Sequence, residues 1–142
     1  VHDLVGDRIV VCDADEGDWL GLHLDQGFLA LMSTPALAMY QTPEHRPVLD
    51  YTRLADAGDI EAAWALQRTL DRERGAFGKW MRDQWLAQGA GAIPIAELKA
   101  WLGLMGLEHG PVRPPLIPLS GERMDALRAD LDGLGLLGSL AS

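Results

Sequence analysis

Lys79 and Lys99 carry the only side-chain amines among the 142 residues, and an amine is what imine chemistry on a carbonyl requires. A lysine serves as such a nucleophile when a desolvated or cationic pocket depresses its pKa. Neither stands in that context. Lys79 follows Gly78 in a helical stretch. Lys99 lies mid-helix at the edge of an apolar stripe, where its stem packs and its ammonium reaches water. No catalytic role is expected of either.

Other patterns are weighed the same way. Asp13, Asp15, Glu16 and Asp18 alternate as a cation loop would, but the full D-x-D-x-D-G order is not met. They read as a solvated helix start, where acidic groups face the positive end of the helix dipole. Gly133-Leu-Gly135-Leu-Leu-Gly138 spells G-x-G-x-x-G at the end of a helix, whereas a dinucleotide loop opens one, so it reads as a frayed helix end. His2, His23, His45 and His109 show no paired ligand spacing, and Cys12 is the single cysteine. No metal site and no disulfide framework is expected. Pro111, Pro114, Pro115 and Pro118 form two P-x-x-P patterns. They read as an extended strap delivering the last helix rather than as a polyproline ligand, with Arg113 in an ion pair or capping carbonyls. The five tryptophans fall mostly on helical stripes and read as packing residues. Trp19, close behind the first strand, is the exception to watch.

The elements that must position these groups follow from periodicity. Arg8–Cys12 is a short β-branched run typical of a strand buried on both faces. Trp19–Gln26 reads as a helix stopped by Gly27, and Phe28–Thr34 as a second buried strand. Strand, helix and strand make a βαβ unit. A loop over 35–42 follows, with Thr42 and Pro43 as N-cap and first helical residue of the next helix. Gly58 ends that helix and Asp59 caps another, whose apolar face is Ile60, Ala63, Trp64 and Leu70. Trp80, Met81 and Trp85 extend the helical region toward Gly89 and Gly91. Two more stripes are Ile95, Leu98, Leu102 and Met105, then Met124, Leu127, Leu131 and Leu134 behind a Ser120 N-cap.

Hydrophobic residues make up 48% of the chain and charged residues 23%, a globular balance. The net charge of −9, with no Lys/Arg-rich block, argues against nucleic acid as a partner. No apolar run reaches membrane-spanning length, and the N-terminus lacks a signal peptide's order. A cytoplasmic protein is expected.

Three segments carry a resemblance: Ala57-Gly-Asp-Ile-Glu-Ala-Ala63, Glu97-Leu-Lys-Ala-Trp-Leu-Gly103 and Gly110-Pro-Val-Arg-Pro-Pro-Leu-Ile-Pro-Leu-Ser120. In this order they resemble the C-terminal part of the dihydrodipicolinate synthase / N-acetylneuraminate lyase family. The resemblance implies an α/β fold: the C-terminal portion of a (β/α)8 TIM barrel, about strands 7 and 8, followed by a helical C-terminal extension, mostly α by residue count. Residues 1–58 would be the last βα units and 59–142 the helical region. A whole barrel takes about 250 residues, so the chain is expected to be a fragment.

The family forms a Schiff base between a lysine and pyruvate or a related 2-keto acid, as class I aldolases do. The resemblance places that lysine on strand six and an assisting tyrosine on strand five, both upstream of Val1. Tyr40 and Tyr51 stand on other segments. The isolated chain is therefore expected to be inactive. Barrel sites lie at the C-terminal ends of strands, which puts Cys12, Asp13, Met32, Ser33 and Thr34 at the substrate-binding mouth, with the Met32 carbonyl beside the keto acid. Two departures stand out: Ala30 replaces a glycine of the strand-eight pattern, and the strand-seven run Val11-Cys12-Asp13 lacks the usual glycine. A small 2-keto acid as substrate, no cofactor, no metal and a homotetramer are implied. Two alternatives are a non-enzymatic helical interaction module and a half-barrel that assembles with a partner chain.

Overall fold

In the computed structural model, residues 6–32, 36–87 and 93–140 are described. They are mostly helical, with one small parallel sheet. Contacts divide the chain into compact units Val1–Asp71 and Arg72–Ser142.

In the first unit, a 3-10 turn over Gly6–Arg8 leads to β1 (Cys12–Asp13). Helix α1 (Glu16–Gln26) follows because the Asp15 carboxylate accepts from the Gly17 N–H at 2.8 Å, satisfying a donor that the first turn leaves open. The helix thus begins three residues before the expected Trp19. Gly27 ends it with φ 67°, a left-handed conformation that suits glycine, its N–H directed at the His23 and Leu22 carbonyls. β2 (Ala30–Leu31) then pairs with β1 in parallel, Cys12 opposite Ala30 and Asp13 opposite Leu31.

The βαβ unit is thus present, but its strands are shorter than the runs Arg8–Cys12 and Phe28–Thr34 predict. Arg8 belongs to the 3-10 turn, while Ile9 and Val10 are 58% and 62% exposed rather than buried on both faces. A parallel strand is normally covered on both faces and flanked in its sheet. Among the described residues each strand has one neighbour, so little ladder forms. Residues 33 and 34 of the second run lie outside the described residues.

The segment expected as a loop contains a short helix, α2 (Ala36–Tyr40). Helix α3 (Pro47–Asp56) starts at Pro47, four residues after the expected Pro43. Thr42 caps no helix; its hydroxyl accepts from the His45 N–H at 3.0 Å and closes a turn instead. Gly58 takes φ 85°, and Asp59 caps α4 (Ile60–Arg68) through the Ala62 N–H. Helices α1, α3 and α4 pack around Trp19, Leu20, Met39, Tyr40, Val48, Tyr51 and Ala63. Leu70 is buried as expected, but Ile60 is 38% exposed at the helix start.

The second unit takes up the chain within α5 (Asp71–Phe77), passes through a wide π turn over Gly78–Arg82 and continues as α6 (Asp83–Ala87). The turn buries Trp80 and Met81 and leaves Trp85 41% exposed. The expected Gly89 and Gly91 break lies outside the described residues. Helix α7 (Ile95–Met105) buries Glu97, Ala100, Trp101 and Met105, while Ile95, Leu98 and Leu102 are half-buried. This helix is apolar on almost every side, so its periodicity had no contrast from which to pick the inner face. The strap then leads to α8 (Gly121–Leu134), capped by the Ser120 hydroxyl on the Arg123 N–H, with Leu127 and Leu131 buried. Gly135 ends α8 at φ 71°, which makes the G-x-G-x-x-G run a helix terminus.

Candidate active site at the strand ends

Parallel pairing brings the C-terminal ends of β1 and β2 together. The Met32 N–H donates to the Asp13 carbonyl at 2.7 Å, extending the ladder past Leu31. Three of the five sequence-predicted residues, Cys12, Asp13 and Met32, are thereby gathered at one end of the sheet. Cys12 is exposed and Met32 is 68% exposed. Asp13 is half-buried, and its Oδ2 is buried with no hydrogen-bond partner among the described residues. A buried acceptor of this kind is costly unless something donates to it, so Asp13 is the side chain here with unused binding capacity. Ser33 and Thr34 lie outside the described residues.

Directly behind this edge stands a group the sequence reading missed. Glu16, the first residue of α1, is 2% exposed. Its Oε2 accepts from the Tyr40 hydroxyl at 2.8 Å and its Oε1 from the Tyr51 hydroxyl at 2.7 Å. One carboxylate thus ties α1 to α2 and α3. A signal for it existed: Glu16 precedes Trp19 and Leu20 by three and four residues, so all three share one face, whereas Asp15 is the N-cap outside the helix and Asp18 is exposed. The chain's two tyrosines are its partners. Reading the acidic group as one solvated cluster hid this.

Further along α1, the Trp19 and His23 rings stack with centroids 5.1 Å apart. The Trp19 indole N–H donates to the Thr52 hydroxyl at 3.1 Å. Trp19 is therefore held by packing and one hydrogen bond, 4% exposed.

In the second unit, the lysines are engaged in surface contacts. Lys79 Nζ donates to Asp130 at 2.6 Å and lies 5.3 Å from the Trp80 ring centroid. Lys99 Nζ donates to the Pro111 carbonyl at 3.0 Å, pinning the strap. Asp130 also accepts from the Trp80 indole at 2.7 Å. Burial alone would raise its pKa, but the Lys79 and Trp80 hydrogen bonds and the Lys79 charge outweigh that and hold it below the ordinary 3.8. Arg123 bonds buried Glu97 at 3.1 Å and lies over the opposite partner of Asp130, Trp80, at 5.3 Å. These residues lock α7, α8 and the π turn together. A groove of about 400 Å³ runs between the start of α7 and the strap, lined by Ile95, Glu97, Leu116 and Ile117 among others, and gathers none of the predicted site residues. Among the described residues there is no His/Cys/Asp/Glu group that could hold a metal, and no helix long and apolar enough to cross a membrane.

No family model and no solved structure matches the chain. Curated proteins do. A DapA-like lyase of Halobacterium salinarum is 40% identical over 84 residues, which is 58% of this chain and 23% of that protein. The same match is found in a second strain of that organism. A 4-hydroxy-tetrahydrodipicolinate synthase of Acidothermus cellulolyticus is 31% identical over 118 residues, 78% of this chain and 33% of that protein. The chain spans a quarter to a third of the relatives' length. Their names agree with the family that the three sequence segments resemble, and together they support reading the chain as a DapA-family fragment.

Proposed function

We propose that this chain is part of a Schiff-base-forming lyase, aldolase or dehydratase acting on pyruvate or a related 2-keto acid, and that it supplies one side of the substrate-binding mouth. The observation that carries the reading is the parallel β1–α1–β2 unit with Cys12, Asp13 and Met32 at its shared C-terminal end. That is where a barrel of this architecture places its site. In the proposal β1 and β2 are strands seven and eight, Met32 offers its carbonyl to the keto acid, and Ser33 and Thr34 continue the same rim. Asp13 offers an open carboxylate oxygen to a donor on the substrate. The nucleophilic lysine lies on a strand upstream of Val1 in the whole protein. A homotetramer in the cytoplasm, without a cofactor, belongs to the same proposal.

Lys79 and Lys99 support this division of labour, since each ammonium is already engaged by a neighbour, Asp130 and the Pro111 carbonyl. Borohydride trapping with pyruvate tests it. The amine adds to the ketone, water leaves, and hydride reduces the resulting C=N to a stable amine seen by intact mass. The 142-residue chain is expected to gain no adduct. A longer polypeptide containing the upstream strands is expected to gain one, mapped by peptide mass to a lysine before Val1. An adduct at Lys79 or Lys99 sinks the proposal, as does a longer polypeptide that is never trapped.

A further inference from the structure

The His23 ring is placed between two acceptors. Its Nδ1 lies 2.8 Å from the Phe28 carbonyl, and its Nε2 lies 3.0 Å from Asp56 Oδ1. A carbonyl oxygen and a carboxylate oxygen both accept and neither donates. A neutral imidazole carries one N–H, so it can satisfy one of them. Both bonds exist together only when both ring nitrogens are protonated. The remaining contact, the Trp19 face at 5.1 Å, also suits a cation.

The three contacts come from three places. Trp19 and His23 belong to α1, Phe28 stands at the entry to β2, and Asp56 ends α3. Among the described residues, Asp56 is the titratable group that touches the ring from α3. Phe28 contributes only its carbonyl, and the contact from the ring's own helix is an indole. The His23 side chain is 17% exposed, so protons reach it while the packing holds its orientation.

We propose that His23 is a proton-operated clamp: as imidazolium it fastens the entry of β2 to the end of α3, and on losing a proton it releases one of the two. Histidine is the side chain whose charge ordinarily changes between about pH 5 and 8. The clamp is complete on the acid side and loses one bond as pH rises through the ring's titration. What it governs is where β2 enters, and β2 carries Met32 at its far end. This inference stands on its own geometry and does not depend on the proposed reaction.

The test uses the 15N-labelled 142-residue chain. Long-range ring spectra follow the His23 nitrogens with pH, and amide exchange, corrected for its intrinsic pH dependence, is read at Phe28 and Met32. Protection at these amides is expected to fall several-fold in step with deprotonation of His23. In Asp56→Asn, whose amide can either donate or accept, the dependence is expected to flatten while the ring still titrates. Protection that is unchanged across the ring's titration overturns the clamp. So does an Asp56→Asn chain with the wild-type pH dependence. His23→Gln assigns the ring signals; where it does not fold, the wild-type titration and Asp56→Asn still decide.

Discussion

Glu16 holds the hydroxyls of both tyrosines in the chain on one buried carboxylate. Replacing it with alanine leaves two buried phenols without that acceptor, and an unsatisfied buried donor costs about 1–3 kcal/mol. Urea denaturation of Glu16→Ala is expected to show a loss of about 2–5 kcal/mol, and of Tyr51→Phe about 1.5–3 kcal/mol, because the second change removes one donor to a charged group. Losses near zero in both would mean the carboxylate is held by its other contacts. Asp130 gives a second residue-scale prediction. Its carboxyl is held below 3.8 against burial, by Lys79 and Trp80. A depressed folded pKa stabilises above the unfolded value, and that contribution is lost as pH falls through the folded one. In Lys79→Met, the Asp130 pKa is expected to rise, seen by carboxyl 13C shifts, and loss of stability on acidification to begin at higher pH. An unmoved Asp130 titration rules this out. At this scale the sequence was only partly legible. Lys79 and Lys99 are readable as helix positions because glycine and stripe neighbours mark them. Glu16 was not, because its neighbours in sequence are acidic and its partners stand 24 and 35 residues away.

Helix ends were the most legible elements, since a cap is written within a few residues. Gly27, Asp59, Ser120 and Gly135 all act as their types predict. Thr42 does not: α3 starts at Pro47, and Thr42 is drawn into a turn with His45. The contrast can be measured. Ser120→Ala is expected to cost about 1 kcal/mol through the lost cap on α8, and Thr42→Ala about 0.5 kcal/mol or less. Equal losses in chemical denaturation would mean that the Thr42 turn matters as much as a helix cap. Strands were less legible than helices because their length depends on neighbours rather than on their own residues. The run Arg8–Cys12 has the composition of a buried strand, yet only its last residue joins the ladder. Composition prescribes what a strand can do when flanked, and β1 has one flank.

On the scale of the whole molecule, fold class was legible in outline: mostly helical, with one parallel βαβ unit. A complete barrel architecture was not readable from 142 residues, since it is defined by strands that must close on one another. A group of exposed apolar side chains flanks the sheet: Ile9, Val10, Leu29 and Met32 are 58%, 62%, 70% and 68% exposed. Open strand edges with apolar flanks favour association with another chain. Sedimentation velocity of the purified chain is expected to show reversible self-association that salt does not abolish. Val10→Lys with Leu29→Lys is expected to suppress it, while Ile117→Lys, on the strap and 81% exposed, is not. Equal suppression by all three changes would point to net charge rather than the sheet as the cause.

The Trp19–His23 stack also makes α1 optically legible. An excited indole transfers an electron to a neighbouring imidazolium far more readily than to neutral imidazole. Emission from Trp19 therefore dims when the ring beside it carries a proton and brightens when it does not. With Trp64, Trp80, Trp85 and Trp101 replaced by phenylalanine, a cuvette and a pH series report the charge on one half-buried ring in real time.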